Sequence, residues 1–542
     1  MSVEADLVAA TIPPSIDVPH EPPSRRTRLY TWVTFLALAA GFVLIGGGNL
    51  DLGPTESRIG LAASAEFGPL GQVYGGWEPS LWPATVAPSL AWAHGEEGEF
   101  PTAASVRWPA AIAGILIGLV LHCRVFARFG FRAAILLSFC WFGSVALIDR
   151  SAGGSLNLVA GLGVVAALDR LLGRGSDWIA GSWAALAFAA GGWPPLALIA
   201  LTTIVIGRRE SKLGAGLLVP PLVIALAWSS WALTVLPAEA WAAALTLPFT
   251  QTSAWLLVLE VLALGLPWSP FALLSISRSV REGWSPSERS LVLGWLQVAG
   301  AALITGTFVP GLAGAARIPA LAGLAVAAAA CLDRLWTLEI SVAARRGFLT
   351  LAVTIATVWI LLASVAGISL ASAAPYYRYV AIIVVSVALT MGAIAAMAIV
   401  KGDIRRGLIT MALLAFSLKL GHWGYYVPEW NYRRSQGPWG RAIGQWVPPR
   451  WPIYTTHTWP HDLAFATGRH VRQLAHPKVL PYQSGSQPKF VLLLDSEFEH
   501  WPQEVSPLVK VSSFLDEHGE GRVLARTQGE FSWRLARQIR EE

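Results

Sequence analysis

Long apolar runs separated by short polar breaks occupy most of the first 421 positions. The first covers about 29–48, and others follow at about 108–123, 133–148, 155–172, 178–192, 194–207, 214–236, 254–276, 290–309, 316–332, 347–369, 379–400 and 407–421. A membrane-crossing helix needs about 20 mostly apolar residues. Several runs are shorter, so their ends are set only to within several residues. Gly192 to Pro195 reads either as a kink or as a loop. The pattern predicts a mostly α, polytopic bundle of about thirteen spans over 29–421.

Three segments depart from it. Residues 1–28 are polar and Pro-rich, end in Arg25-Arg26-Thr27-Arg28, and have no apolar core of a signal peptide, which predicts a disordered tail. A connection from Asn49 to about Arg107 is rich in Gly, Pro and Trp. After 421, charge, His and Pro rise and strand-like runs appear at Phe490 to Leu494, Val509 to Val511 and Gly521 to Arg526, while His461 to Leu474 has helical spacing. Residues 422–542 are therefore expected to form a small α/β domain on the membrane bundle.

Charge then orients the chain. With a cytoplasmic N-terminus, successive cytoplasmic loops carry Arg124, Arg128 and Arg132; Arg170 and Arg174; Arg208, Arg209 and Lys212; Arg278, Arg281 and Arg289; Arg334, Arg345 and Arg346; and Lys401, Arg405 and Arg406. The opposite loops are nearly free of basic clusters, as the positive-inside bias requires. An odd number of crossings puts the C-terminal domain outside the cytoplasm, and the plasma (bacterial inner) membrane is the expected location.

Composition agrees: 14% of residues are charged and 54% hydrophobic, against about 25% charged in soluble domains. The net charge of +6 sits mainly in short loops, so it reports topology and no nucleic-acid partner. Cys123, Cys140 and Cys331 lie in or beside apolar runs without C-x-x-C spacing, which argues against a disulfide framework or zinc site. There are 26 Trp, a residue at home at membrane interfaces and against sugar faces. No Walker motif, G-x-G-x-x-G after a strand, or H-E-x-x-H occurs, so neither ATP coupling nor zinc proteolysis is supported. A secondary transporter is disfavoured because no internal repeat with matched interrupted helices is visible.

Ionisable residues near the outer membrane face are costly unless paired or used. The first outer loop offers Asp51, Glu56, Arg58, Glu66 and Glu78; the next outer turn offers Asp149-Arg150; the tail offers Glu429, Asn431, Arg433, His457 and His461. Glu260 lies inside a span. Against each stands a bland reading: solvated loop, local ion pair or satisfied surface. As a loop carboxylate near water, Glu56 is expected to contribute little to stability.

Pro54-Thr55-Glu56-Ser57-Arg58 after the first span, Arg107-Trp108-Pro109 opening the next and Leu266-Pro267-Trp268 further on make the chain, in order of features, resemble the GT-C class of lipid-linked-sugar glycosyltransferases, in particular the aminoarabinose-transferase and protein-mannosyltransferase group. Pro54-Thr55-Glu56-Ser57-Arg58 stands where that group has Pro-Asp-Glu-x-Arg-Tyr, and Tyr74-Gly75-Gly76-Trp77-Glu78-Pro79-Ser80-Leu81-Trp82 where it has Tyr-x-Glu-Lys-Pro-Pro and aromatics. Arg107-Trp108-Pro109 matches an Arg-x-Pro, and Arg150 to Ser155 an Arg-x-Ala-x-x-Asp stretch. Gly191-Gly192-Trp193-Pro194, Leu266-Pro267-Trp268 and Arg317-Ile318-Pro319 follow a Lys-Gly-Pro turn, a Leu-Pro-Trp and a Lys-x-Pro. Thr55, Trp77-Glu78 and Ser155 depart from the acidic and Glu-Lys positions.

The resemblance implies sugar transfer from a polyprenyl-phosphate donor to a lipid, glycan or protein on the non-cytoplasmic face, with membrane lipids as surroundings. Such transfer needs a base for the acceptor and cations or a metal for the leaving phosphate. Glu56, with Asp51 or Asp149 as substitutes, would supply the base; Arg58, Arg150 and Arg317 would hold phosphate; Tyr74, Trp77, Glu78, Trp82, His457 and His461 would contact sugar or acceptor. No cofactor is certain, and a divalent metal stays open. So does the alternative that a member with Thr55 and Ser155 has lost catalysis and binds a polyprenyl lipid or partner proteins. The topology is checked by cysteine labelling. Positions after 425 should react with an impermeant reagent from outside, and Arg208 to Lys212 only from the cytoplasm; a tail labelled from the cytoplasm would contradict the odd count.

Overall fold

The computed structural model describes residues 24–41, 51, 54–63, 72–73, 76–77, 102–150, 157–173, 175–206, 214–235, 254–309, 311–337, 342–373, 375–429, 431, 435–449, 451–456, 459–474, 476–482, 488–502, 507–515 and 520–527. Helix α1 (Arg25–Ala39) is followed by α2 (Pro54–Ala63) and a small hairpin of β1 (Gln72–Val73) and β2 (Gly76–Trp77). The bundle continues with α3 (Ala103–Phe129), α4 (Phe131–Phe142), α5 (Val145–Arg150), α6 (Leu158–Leu172), α7 (Asp177–Gly191), α8 (Trp193–Val205) and α9 (Ala215–Val235). It closes with α10 (Ala254–Leu264), α11 (Ser269–Leu274), α12 (Pro286–Phe308), α13 (Ala313–Thr337), α14 (Val342–Ala373), α15 (Arg378–Val400) and α16 (Ile404–Gly421).

The ends of these helices follow local chemistry. Thr102 caps α3 by accepting from the Ser105 amide at 3.2 Å. Before α12, Ser285 accepts from the Glu288 amide at 3.3 Å while its own amide donates to Glu288 Oε2 at 2.8 Å, a reciprocal cap. Gly192, at φ +72°, separates α7 from α8 in a turn that favours glycine, so a loop replaces the kink. Two expected runs are broken: 133–148 at Gly143-Ser144 between α4 and α5, and 254–276 at Gly265 to Trp268 between α10 and α11. Arg107 stands in the first turns of α3, not at the end of a loop.

Among the described residues five helices are long and apolar enough to cross a membrane: Ala103–Phe129, Pro286–Phe308, Ala313–Thr337, Arg345–Ser369 and Arg378–Val400. Shorter apolar helices stand at Phe131–Phe142, Trp193–Val205, Ala215–Ser230 and Trp255–Leu264. α13 is almost wholly buried, and its Ala and Gly residues let neighbouring backbones come close. A Cβ on Gly323 of α13 would strike the Trp295 carbonyl of α12, and one on Gly163 of α6 the backbone of α7 at Trp183 and Ala187. The peripheral helices keep large apolar side chains outside, among them Leu361, Leu362 and Val365 of α14 and Ile382 and Ile383 of α15. Such a surface suits lipid and not water.

Beyond α16 come a π-helical turn (His422–Tyr426), α17 (Gly437–Trp446), β3 (Ile453–Thr455), α18 (His461–Ala466), β4 (Val471–Gln473), β5 (Phe490–Leu494), β6 (Leu508–Leu515) and β7 (Gly521–Thr527). The strands form one sheet in the order β4-β3-β5-β7-β6, parallel among β4, β3 and β5, antiparallel at β5–β7 and β7–β6. The helical spacing read over 461–474 ends at Ala466, and β4 takes over at Val471 as the return strand of a β-α-β unit. Arg469 makes this turn firm by donating to the Val447 and Gly444 carbonyls at the end of α17.

The core of this sheet domain is not supplied by the tail alone. Leu61 of α2 is fully buried with Ile443, Trp459, Leu463, Phe490 and Leu524. A Cβ on Gly60 would overlap the Phe465 ring of α18, so α2 lies flush against that helix. The close approaches inside the bundle carry a prediction. Gly323→Val should lower the thermal unfolding midpoint in detergent well below that of Gly300→Val, a position with open space around it. Equal midpoints would show that α12 and α13 do not pack as described.

Candidate functional site

The segment between α1 and α3, the start of α3 and the tail meet through one polar network. Glu56, in the first turn of α2, and Arg107 are both buried. Arg107 Nε donates to Glu56 Oε1 at 2.8 Å and Nη2 to Oε2 at 2.9 Å, a bidentate fork. Nη2 also donates to the Asp51 carbonyl at 3.1 Å. Asp51 in turn reaches the tail: its amide donates to Asn431 Oδ1 at 2.7 Å, and its carboxylate accepts from Ser435 Oγ at 2.9 Å and Arg441 Nη1 at 2.7 Å. Ser435 Oγ accepts from the Gly437 amide at 2.8 Å, and a Cβ on Gly437 would strike the Asp51 carboxylate. Asp51 and Glu56 thus come together, each held by an arginine.

Arg317 is elsewhere. On α13 it donates to Glu260 Oε2 of α10 at 2.9 Å, a half-buried pair between two bundle helices. His461 opens α18, the helix packed on α2. Tyr74, Glu78, Trp82 and His457 lie outside the described residues, as do the side chains of Arg58, Trp77, Asp149 and Arg150, whose backbones belong to α2, β2 and α5. Among the described residues no three His, Cys, Asp or Glu side chains gather closely enough to hold a metal ion.

A second feature was not anticipated from the residue pattern. A cavity of about 770 Å³ lies between α14, α15 and α16, with Val145 and Ile148 of α5 on one wall. Its lining is mostly aliphatic, including Leu362, Val380 and Val384, and Leu362 remains exposed on the outer apolar surface, so the cavity meets lipid laterally. Polar groups gather at one end: His422 stacks on Tyr426 at 5.1 Å between ring centres, and Tyr425 packs edge-on against Tyr377 at 5.2 Å. The π turn over 422–426 projects these side chains together, a distortion frequent at binding sites. Directly beside this end, buried Lys419 donates to the Ile148 carbonyl at 3.5 Å, and α5 ends two residues later in Asp149-Arg150. The available signal was the aromatic cluster His422-Trp423-Gly424-Tyr425-Tyr426 closing the last apolar run.

Neither a protein-family model nor a curated protein sequence matches the chain. Solved structures do. ArnT from Cupriavidus metallidurans in the apo state aligns over 93% of this chain and 98% of its own, with TM-score 0.66 and 17% identity. The same protein bound to undecaprenyl phosphate aligns over the same shares, with TM-score 0.68 and 16% identity. Arabinosyltransferase EmbB from Mycobacterium smegmatis gives a looser likeness, with TM-score 0.44 and 17% identity, over 75% of this chain and 41% of its own. These neighbours are GT-C-class glycosyltransferases, and the chain has the fold of ArnT.

The buried Glu56–Arg107 fork overturns the expectation that Glu56 contributes little to stability. Removing one partner leaves a buried charge uncompensated, at a cost of about 3–5 kcal/mol. Glu56→Gln and Arg107→Met should each lower the unfolding midpoint sharply, and the double variant should lose less than the sum of the two. Additive losses, measured by thermal unfolding in detergent, would contradict the pair.

Proposed function

We propose that this chain is a membrane glycosyltransferase that takes a sugar from a polyprenyl-phosphate donor at the outer membrane face, with the donor's polyprenyl chain in the α14–α16 cavity. The cavity is the observation that carries the reading: it is apolar, open toward lipid through Leu362, and ends at His422, Tyr425 and Tyr426 beside the Asp149-Arg150 end of α5. The finer topology proposed with it is thirteen crossings, a cytoplasmic N-terminus and an outer tail. That ArnT has been seen with undecaprenyl phosphate supports the ligand class.

In this reading the acceptor attacks the anomeric carbon, the bond from that carbon to phosphate oxygen breaks, and polyprenyl phosphate leaves. A base takes the acceptor proton and cations stabilise the leaving oxyanion. Glu56 is ill placed for the base, because both its oxygens are engaged by Arg107 and it is out of solvent; Asp51 is likewise held by Ser435 and Arg441. We assign these two to positioning the outer loop. Asp149 is the proposed base, with Arg150, Arg58 and Lys419 as phosphate partners. Tyr74, Trp77, Trp82, Glu78, His457 and His461 keep their proposed contacts with sugar or acceptor, and Arg317 is proposed as a helix-pairing residue, since Glu260 engages it.

One observation favours the second reading, a polyprenyl-lipid binder without transferase activity: the retained motif carboxylate is fully occupied by its ion pair. Two variants separate the readings. Ala388→Trp fills the cavity and should abolish both binding of purified protein to undecaprenyl phosphate and any glycan transfer. Asp149→Asn should leave binding intact and reduce transfer by about 100-fold or more. Binding without any change in cell-envelope glycans on loss of the gene favours the binder; unchanged binding in Ala388→Trp sinks both.

A further inference from the structure

A second pocket, of about 410 Å³, lies at the opposite end of the bundle. Arg107 and Arg128 belong to one helix, α3, and are separated by roughly 30 Å at 1.5 Å per residue, about the thickness of a bilayer's apolar core. The pocket is therefore distinct from the outer network, and the positive-inside pattern puts it on the cytoplasmic side. Arg124 and Arg128 of α3, one helical turn apart, form one wall. Ser287, Ser290, Gly294 and Gln297, spaced three or four residues apart on one face of α12, form the other.

An arginine that merely sets topology extends into water. Arg124 is drawn in instead: its side chain is 25% exposed and its Nε lies 3.2 Å from Asp169 Oδ1 of α6. Its guanidinium occupies the space that a side chain on Gly173 would fill, and Gly173 has an ordinary φ of −80°, so space and not backbone conformation demands glycine there. The nearby carboxylates are already matched. Asp169 faces Arg124, Glu288 accepts from Arg334 at 2.6 Å and from the Ser285 amide, and Asp333 lies 3.7 Å from Arg132. None of the three lines the pocket. The side chains of Arg128, Ser290 and Gln297, exposed at the pocket's mouth, make no hydrogen bond or ion pair among the described residues.

An excess cation, unpartnered donors and leucine walls in one concavity between membrane helices suit an anion that carries an apolar chain. We infer that this pocket is a binding site for a phosphate-bearing anion on the cytoplasmic side, separate from the outer cavity. The shared chemistry is a phosphate on Arg124 and Arg128 with Ser290 and Gln297 donating; the source is an anionic phospholipid headgroup or free phosphate.

The test uses the full-length protein in neutral detergent and reads the thermal unfolding midpoint. Dioleoylphosphatidylglycerol, dioleoylphosphatidylcholine and inorganic phosphate are titrated in separate arms. Wild type should be protected by the anionic lipid and not by the zwitterionic one. Arg128→Gln should weaken that protection about fivefold, the worth of one arginine at an anionic surface. Ser290→Glu, a surface position, should abolish it, while Arg405→Gln, an exposed arginine of α16, should change nothing. If inorganic phosphate alone protects with the same variant pattern, the site stands and free phosphate is its source. The proposal fails if neither anion protects wild type, if Arg128→Gln and Ser290→Glu behave as wild type, or if Arg405→Gln loses as much as Arg128→Gln.

Discussion

Where α2 meets the start of α3, a carboxylate and a guanidinium lie out of contact with water, and the junction with the tail is arranged around them. Glu56 and Arg107 fix α2 to the start of α3. The same guanidinium holds the Asp51 carbonyl, and the Asp51 carboxylate carries the restraint onward to Ser435 and Arg441. Since burying two charges costs several kcal/mol unless every lone pair and proton is engaged, the fork and its neighbours act as a unit. The bundle, the loop and the sheet domain are thereby coupled at one point. Leu61, five residues further along α2, completes that coupling with apolar contacts inside the sheet domain.

This junction separates two jobs that a short acidic motif can do. A carboxylate that serves as a base has to meet the acceptor, whereas one that fixes geometry has its oxygens filled by the protein. Glu56 is of the second kind, and the chemistry proposed for the chain moves to the end of α5, beside the aromatic end of the cavity. The result is a division by depth. Polar clamps lie at the loop–tail junction, and the apolar chamber bounded by the more exposed helices α14, α15 and α16 is the proposed place for the lipid.

The sequence pattern was informative wherever a single helix or strand decides it. Apolar runs located most of the helices, though those over 133–148 and 254–276 each proved to be two, and β5 and β7 lie where aliphatic runs flanked by Pro488 and Gly521 predict them. It was silent where distant segments decide. Nothing in the order of residues tells that Leu61 shares a core with Phe490, or that Arg107 points at Glu56 and not at a ligand. The short strands β3 and β4 carry too few residues to stand out from their helix-like surroundings. Three-helix cavities such as that of α14–α16 arise from the gaps between apolar faces, and those faces read alike whether or not they touch.

Photocrosslinking tests whether the α14–α16 cavity holds a polyprenyl chain. A polyprenyl phosphate with a diazirine in its chain is irradiated with the membrane-embedded protein, and the labelled peptides are identified by mass spectrometry. Label is expected on peptides containing Trp359, Val384 or Tyr425, lost when unlabelled polyprenyl phosphate is in excess. Competable label confined to other helices, or label on these peptides that excess ligand does not displace, would contradict it.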